Sequence, residues 1–157
     1  MKSKALKVNF VMNAVLTMSN MIFPLITFPY VSRILLPVGT GKVAFATSIV
    51  TYFSMFAQLG IPTYGIRVCA QVRDDREKLS RTVQELLLIN LLMTVLVYFF
   101  YFGSLLLVPR MQSDKTLFLI MGTMIFFNSI GMEWLYKALE EYTYITVRSI
   151  VFKIISL

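Results

Sequence analysis

The charges of this chain fall in short clusters, and the apolar stretches between them are too long for a water-facing fold. The first stretch runs from Val8 to about Leu36 and holds one charge, Arg33. A bilayer's hydrocarbon core takes roughly 20 apolar residues in a spanning helix. The first run is also too long for a signal-peptide core, and no small-residue cleavage site follows it. Hydrophobic residues make up 57% of the 157, and charged residues 15%. A soluble domain carries about a quarter charged and under half apolar residues. These runs predict an all-α, polytopic integral membrane protein.

Turn chemistry divides the runs into about four and a half spanning helices. Pro24 and Pro29 lie inside the first, about 8–36, and are expected to kink it. Leu36-Pro-Val-Gly-Thr-Gly41 reads as a turn. The second helix is expected over 42–59, with Gly41, Ala44, Ser48 and Thr51 on one face. Such a small face packs closely against another helix or lines a cavity. Gly60 and Pro62 break that helix, and 60–77 form a charged elbow with a solvated face. The third helix, about 78–108, spans about 45 Å and outruns a hydrocarbon core of roughly 30 Å. It must protrude or tilt. The fourth is expected over 116–139. The fifth, 142–157, is incomplete and carries no cap or polar tail. The chain is therefore expected to be the N-terminal piece of a longer protein, with a naturally short protein as the rival reading.

Several function classes drop out. The chain has no His and one Cys, Cys69. A Ser-His-Asp triad, a His-ligated metal, a Cys-cluster zinc site and an internal disulfide are all excluded. Cys69 reads as a small packed hydrophobe. No activated nucleophile, paired deep carboxylates or Gly-rich phosphate loop appears, so no enzyme, metal or cofactor is expected. The formal net charge is +7. No basic stripe with interleaved aromatics accompanies it, so nucleic acid is not an expected partner. The bases instead flank the apolar runs. Lys2, Lys4, Lys7, Arg67, Arg73, Arg76, Lys78, Arg81, Lys137 and Arg148 fall on the N-terminal side of the bundle. Arg33, Lys42, Arg110 and Lys115 fall on the other. Ten against four favours an N-terminus in the cytosol.

Ionisable groups within the apolar runs are the candidates for function, because charge at bilayer depth is costly. Arg33 reads either as a snorkelling anchor or as an anion contact facing a cavity. Glu133 stands four residues before Lys137, the spacing of a local helical pair. Arg148, with Lys153 deeper still, is a basic group inside an apolar helix, open to an aqueous, anion-accepting cavity. Asn90 and Asn128 read as interhelical hydrogen-bonding groups.

Three stretches carry a resemblance. They are Phe28-Pro-Tyr-Val-Ser-Arg-Ile-Leu35, then Leu59-Gly-Ile-Pro-Thr-Tyr-Gly-Ile-Arg67 with Arg73-Asp-Asp-Arg-Glu-Lys-Leu-Ser80, then Glu133-Trp-Leu-Tyr-Lys-Ala-Leu-Glu-Glu-Tyr-Thr-Tyr-Ile-Thr-Val-Arg-Ser149. Together they resemble the N-terminal part of Wzx-type oligosaccharide flippases, a branch of the multidrug/oligosaccharidyl-lipid/polysaccharide exporter superfamily. The chain departs from that pattern at Leu36 and Ala138, where a Gly is usual, and at Val38, where an acidic residue is common.

The resemblance implies a two-lobe flippase of the cytoplasmic membrane, alternating access around a cationic cavity. Its cargo would be an isoprenoid-pyrophosphate-linked oligosaccharide, with membrane lipids, a polysaccharide polymerase and glycosyltransferases as further partners. Arg33, Arg67 and Arg148 fall on the resembling motifs as cargo or gating candidates, with Lys153 beside them and Glu133 as an ion-coupling candidate. This chain alone would not transport. Two alternatives remain: a scaffold recruiting glycosyltransferases through the basic elbow, and a drug or cation exporter. The exporter requires deep acidic residues, and the first three helices offer only Glu85 near an entry.

Overall fold

The computed structural model describes residues 2–155, with side chains from Lys7 onward. The backbones of Met1, Ser156 and Leu157, and the side chains of Lys2 and Lys4, lie outside the described residues. Among the described residues seven helices follow in order: α1 Lys2–Gln58, α2 Ile61–Gln71, α3 Arg76–Leu107, α4 Pro109–Gln112, α5 Lys115–Ile130, α6 Glu133–Ala138 and α7 Tyr142–Ile155. Three segments among the described residues are long and apolar enough to cross a membrane: Lys7–Gln71, Arg76–Leu107 and Lys115–Ala138. The protein is an all-α, polytopic membrane protein.

The turn expected at Leu36–Gly41 is a kink within α1. Helical backbone resumes at once, and only Leu36 departs, at φ 58° and ψ 170°. Pro37 accounts for the extended ψ, because a proline ring disfavours helical geometry in the residue before it. Pro24 and Pro29, in contrast, sit inside the first arm of α1 without non-helical backbone. Gly60, at φ 74°, ends the second arm, and Pro62 lies in the first turn of α2. Proline is pre-organised there and has no N–H to lose. Asp75 caps α3, accepting from the backbone N–H of Glu77 and Lys78 at 3.2 Å. The elbow thus holds an eleven-residue helix as well as its charged turn.

The helix expected over 116–139 is broken. α5 stops at Ile130, Gly131 is extended (φ −60°, ψ 107°), and α6 starts at Glu133. Tertiary contacts described below compensate the lost helical hydrogen bonds.

Two apolar clusters hold the bundle. In the first, Ala46, Val50 and Ala57 of α1 bury against Val97, Tyr101 and Leu105 of α3 and Phe118 and Ile125 of α5. The Tyr101 hydroxyl donates to the Phe118 carbonyl at 2.6 Å, so its polar tip is satisfied. In the second, Ile61 and Cys69 of α2 meet Leu86, Trp134 and Ala138. Cys69 is a packed hydrophobe, as expected. The small face of Gly41, Ala44, Ser48 and Thr51 is exposed in this chain, and the bulkier face beside it makes the core. That buried face combines close approach at the fully buried Ala46 and Ala57 with area from Val50, Ile49 and Phe53 against the α3 and α5 aromatics.

Ion pairs join loops at opposite ends of the bundle. Lys42, just past the kink, meets Asp114 before α5 at 2.6 Å, and Arg110 lies over the Phe45 ring at 4.8 Å. At the other end, Arg73 after α2 meets Glu140 between α6 and α7 at 3.0 Å. Alternate connections therefore share an end, as an up-and-down membrane bundle requires.

Candidate functional site

The break between α5 and α6 opens one wall of a cleft. An unbroken helix would pair the carbonyls of Asn128 and Ser129 with the N–H groups of Met132 and Glu133. Here side chains from two other helices reach them. Asn90 Nδ2 of α3 donates to the Ser129 carbonyl at 2.6 Å, and Gln58 Nε2 of α1 to the Asn128 carbonyl at 3.4 Å. Thr94 Oγ1 and Ser129 Oγ lie 2.8 Å apart, buried beside them. Irregular backbone at membrane depth is tolerated where protein or a polar cavity meets its hydrogen-bonding groups.

The break also redirects α6 onto α2. The Trp134 ring lies flat against Gly65, where an added Cβ would stand 2.6 Å from Trp134 Cε3. Only a glycine admits the indole so closely. α7 closes the far side. Its Thr146 Oγ1 reaches the Met12 carbonyl at 3.0 Å, and Lys153 Nζ reaches Ser19 Oγ at 2.8 Å and Asn20 Oδ1 at 2.6 Å.

The resulting cleft encloses about 720 Å³. That lies within the roughly 300–1,000 Å³ typical of small-ligand sites. Gln58, Asn90, Asn128, Glu133, Lys137 and Arg148 line it, with Trp134, Phe127 and Phe152 as apolar walls. Glu133 and Lys137 neutralise each other at 2.8 Å, the local pair their spacing predicts. Arg148 is exposed on the wall, and no carboxylate lies within ion-pairing distance of it among the described residues. The net charge of the lining is therefore positive.

The structure brings two sequence candidates, Arg148 and Glu133, into this cleft. Lys153 sits on the far side of the α1–α7 seam, in an apolar groove with Met18, Ile22 and Ile154. It reaches the cleft through Asn20, which lines it. Arg33 is exposed near the Leu36 kink, and Arg67 is exposed on α2. Neither lines the cleft. Sequence reasoning passed over Gln58, whose one signal is a carboxamide in the last turn of an apolar run. Asn90 makes the interhelical bond its sequence position suggests, from α3 to the Ser129 carbonyl of α5, and that bond also satisfies the broken helix end.

The family model described as "Polysaccharide biosynthesis protein" matches residues 6–157. The chain belongs to this polysaccharide biosynthesis family. It is also 26% identical over 147 residues to an Escherichia coli (strain K12) protein named "Putative O-antigen transporter". That alignment takes in 94% of this chain and 35% of the relative, so the chain spans about a third of the relative's length. No solved structure matches the chain. The family match includes every cleft-lining residue, from Leu16 to Phe152.

Proposed function

We propose that this chain supplies N-terminal helices of a two-lobe polysaccharide-export flippase. Its cargo is an isoprenoid-pyrophosphate-linked oligosaccharide repeat unit, moved from the cytosolic to the outer leaflet of the cytoplasmic membrane. The observation that carries the reading is Arg148. It is a guanidinium without a carboxylate partner, on the wall of a polar cleft inside an apolar bundle. A pyrophosphate is the complementary group, since guanidinium binds phosphate oxygens through two parallel charge-assisted bonds. The lipid tail would stay in the bilayer while the sugar and pyrophosphate enter the cleft. Lys153 would brace α7 against α1, and Arg33 and Arg67 would act at the two interfaces. Glu133, tied to Lys137, would couple to an ion only by leaving that pair.

The orientation with the N-terminus in the cytosol rests on the excess of bases at the end that carries Lys7, Arg67, Arg73, Arg76, Lys78 and Arg81. Enclosing the cargo would need helices beyond this chain, so residues 1–157 alone are expected not to transport. The polymerase and the glycosyltransferases would meet the complete protein.

The test uses the full-length protein in its own cells. Charge-assisted hydrogen bonds contribute about 1.5–3 kcal/mol each. Arg148→Ala should therefore cut surface polysaccharide tenfold or more and leave lipid-linked repeat units in the cytosolic leaflet. Arg148→Lys should restore part of the export. Normal surface polysaccharide in Arg148→Ala cells at normal protein level would refute the proposal.

A further inference from the structure

The cleft is lined by four carboxamides from four separate stretches of chain: Asn20 and Gln58 from the two arms of α1, Asn90 from α3 and Asn128 from α5. Amides at membrane depth carry a desolvation cost, and one such residue is easily explained as glue between helices. Gln58, Asn90 and Asn20 each hold another helix through one group, yet all four converge on a single cleft and keep further hydrogen-bonding groups. Their unspent hydrogen-bonding capacity is also specific. Asn90 is 3% exposed, its Nδ2 is committed to Ser129, and its Oδ1 has no hydrogen-bond partner among the described residues. A buried amide oxygen left unpaired costs free energy, and a ligand hydroxyl would recover it as the cleft wall at Asn90 opens around the sugar. Gln58 donates one N–H to the Asn128 carbonyl at 3.4 Å, and its side-chain oxygen makes no hydrogen bond among the described residues. Asn20 spends its oxygen on Lys153 and keeps its NH₂. Asn128 lends only its backbone carbonyl to Gln58, and its side chain is exposed in the cleft.

We propose that Asn20, Gln58, Asn90 and Asn128 form a sugar-binding subsite that takes the hydroxyl groups of the residue next to the pyrophosphate. A carboxamide offers two donors and an acceptor, and a sugar hydroxyl is donor and acceptor at once. The set is uncharged and can offer a phosphate only neutral hydrogen bonds, so charge recognition rests on Arg148 and hydroxyl recognition on the amides. The buried ring of Trp134 and the exposed ring of Phe127 supply apolar wall for the C–H faces of the sugar. The inference rests on the flippase reading and names its specificity-determining residues. A site built to hydrogen-bond hydroxyls rejects ligands that lack them far better than an apolar pocket can.

The experiment uses the purified full-length protein and two probes: farnesyl pyrophosphate, and the same lipid carrying the oligosaccharide repeat unit. Binding is measured by titration calorimetry for wild type, Asn128→Leu and Gln58→Met. Asn128→Leu is the primary variant, because that side chain holds nothing else in place. The expected result is a tenfold or larger loss of affinity for the sugar-bearing lipid, with affinity for farnesyl pyrophosphate kept within twofold. The retained affinity also reports a folded cleft. Arg148→Ala should weaken both probes. Equal losses for the two probes in the amide variants, or no loss for either, would overturn the subsite and leave the flippase reading standing. A wild type that binds neither probe would overturn both.

Discussion

Replacing Gly65 with Ala tests the packing that shapes the cleft, and the sign of the effect is diagnostic. Gly65 lies inside α2, and in an ordinary helix interior Gly→Ala stabilises by about 1 kcal/mol. Here the new methyl would stand 2.6, 3.0 and 3.1 Å from three carbons of the Trp134 ring. Carbon atoms pack best at about 3.5–4.0 Å, so the ring must retreat by about 1 Å. Trp134 is 4% exposed and packed among Ile61, Cys69, Leu86 and Ala138, which leaves it little room to do so. Overpacking of this kind costs about 1–3 kcal/mol. The unfolding equilibrium should shift by roughly 5- to 150-fold against the folded state. Thermal or denaturant unfolding of the full-length protein in detergent would read it. The partner variant Trp134→Leu removes the colliding ring. In that background the clash is gone, and Gly65→Ala should be neutral or stabilise by up to about 1 kcal/mol, because residues in contact couple and removing one partner removes the cost. A Gly65→Ala protein as stable as wild type, or the same cost in both backgrounds, would refute the contact and the orientation of α6 that depends on it.

Three further outcomes are expected. Leu36→Gly should stabilise by about 1 kcal/mol: φ 58°, ψ 170° is a region essentially reserved for glycine, and relief of about 1–3 kcal/mol outweighs glycine's entropic cost. Unfolding midpoints read this, and a lower midpoint than wild type would contradict it. Asn90→Leu should destabilise by about 1–3 kcal/mol, because the Ser129 carbonyl would lose its partner; unchanged stability would mean that the helix break is satisfied otherwise. The Lys78 side chain, with the backbone N–H groups of Lys78 and Glu77, holds the Asp75 carboxyl below its ordinary value. Its capping contribution should be full at neutral pH and drain as pH falls below about 3.9 through the lower folded value. Amide-exchange protection at Glu77 and Lys78 should drop over that range in wild type and not in Asp75→Ala; equal profiles in the two proteins would contradict the cap.

Much of the architecture was legible in the residues because membrane helices are written in long apolar runs. The elbow after Gly60, the cap at Asp75 and the Glu133–Lys137 pair are local features, with their partners two to four residues away. Arg148 was legible for the opposite reason, as a base where a helix facing lipid would carry none. What the residues concealed depends on partners far along the chain. The break at Gly131 lies in an apolar run that a continuous helix would satisfy equally well. It becomes affordable only because Gln58 and Asn90, about 70 and 39 residues away from the carbonyls they reach, supply the missing bonds. The small face of α1 was likewise ambiguous, since which side of a helix packs is decided by its neighbours.

The proposed function requires the Arg148 cleft to carry a pyrophosphate-linked oligosaccharide across the membrane. The most direct measurement is outward movement of such a lipid in vesicles containing the full-length protein, followed by its exposure to an external glycosidase. Wild type should expose the inner-leaflet pool well above protein-free vesicles, and Arg148→Ala should lower that rate tenfold or more at equal protein. Equal rates for the two proteins, or a wild-type rate no faster than bare lipid, would contradict the account.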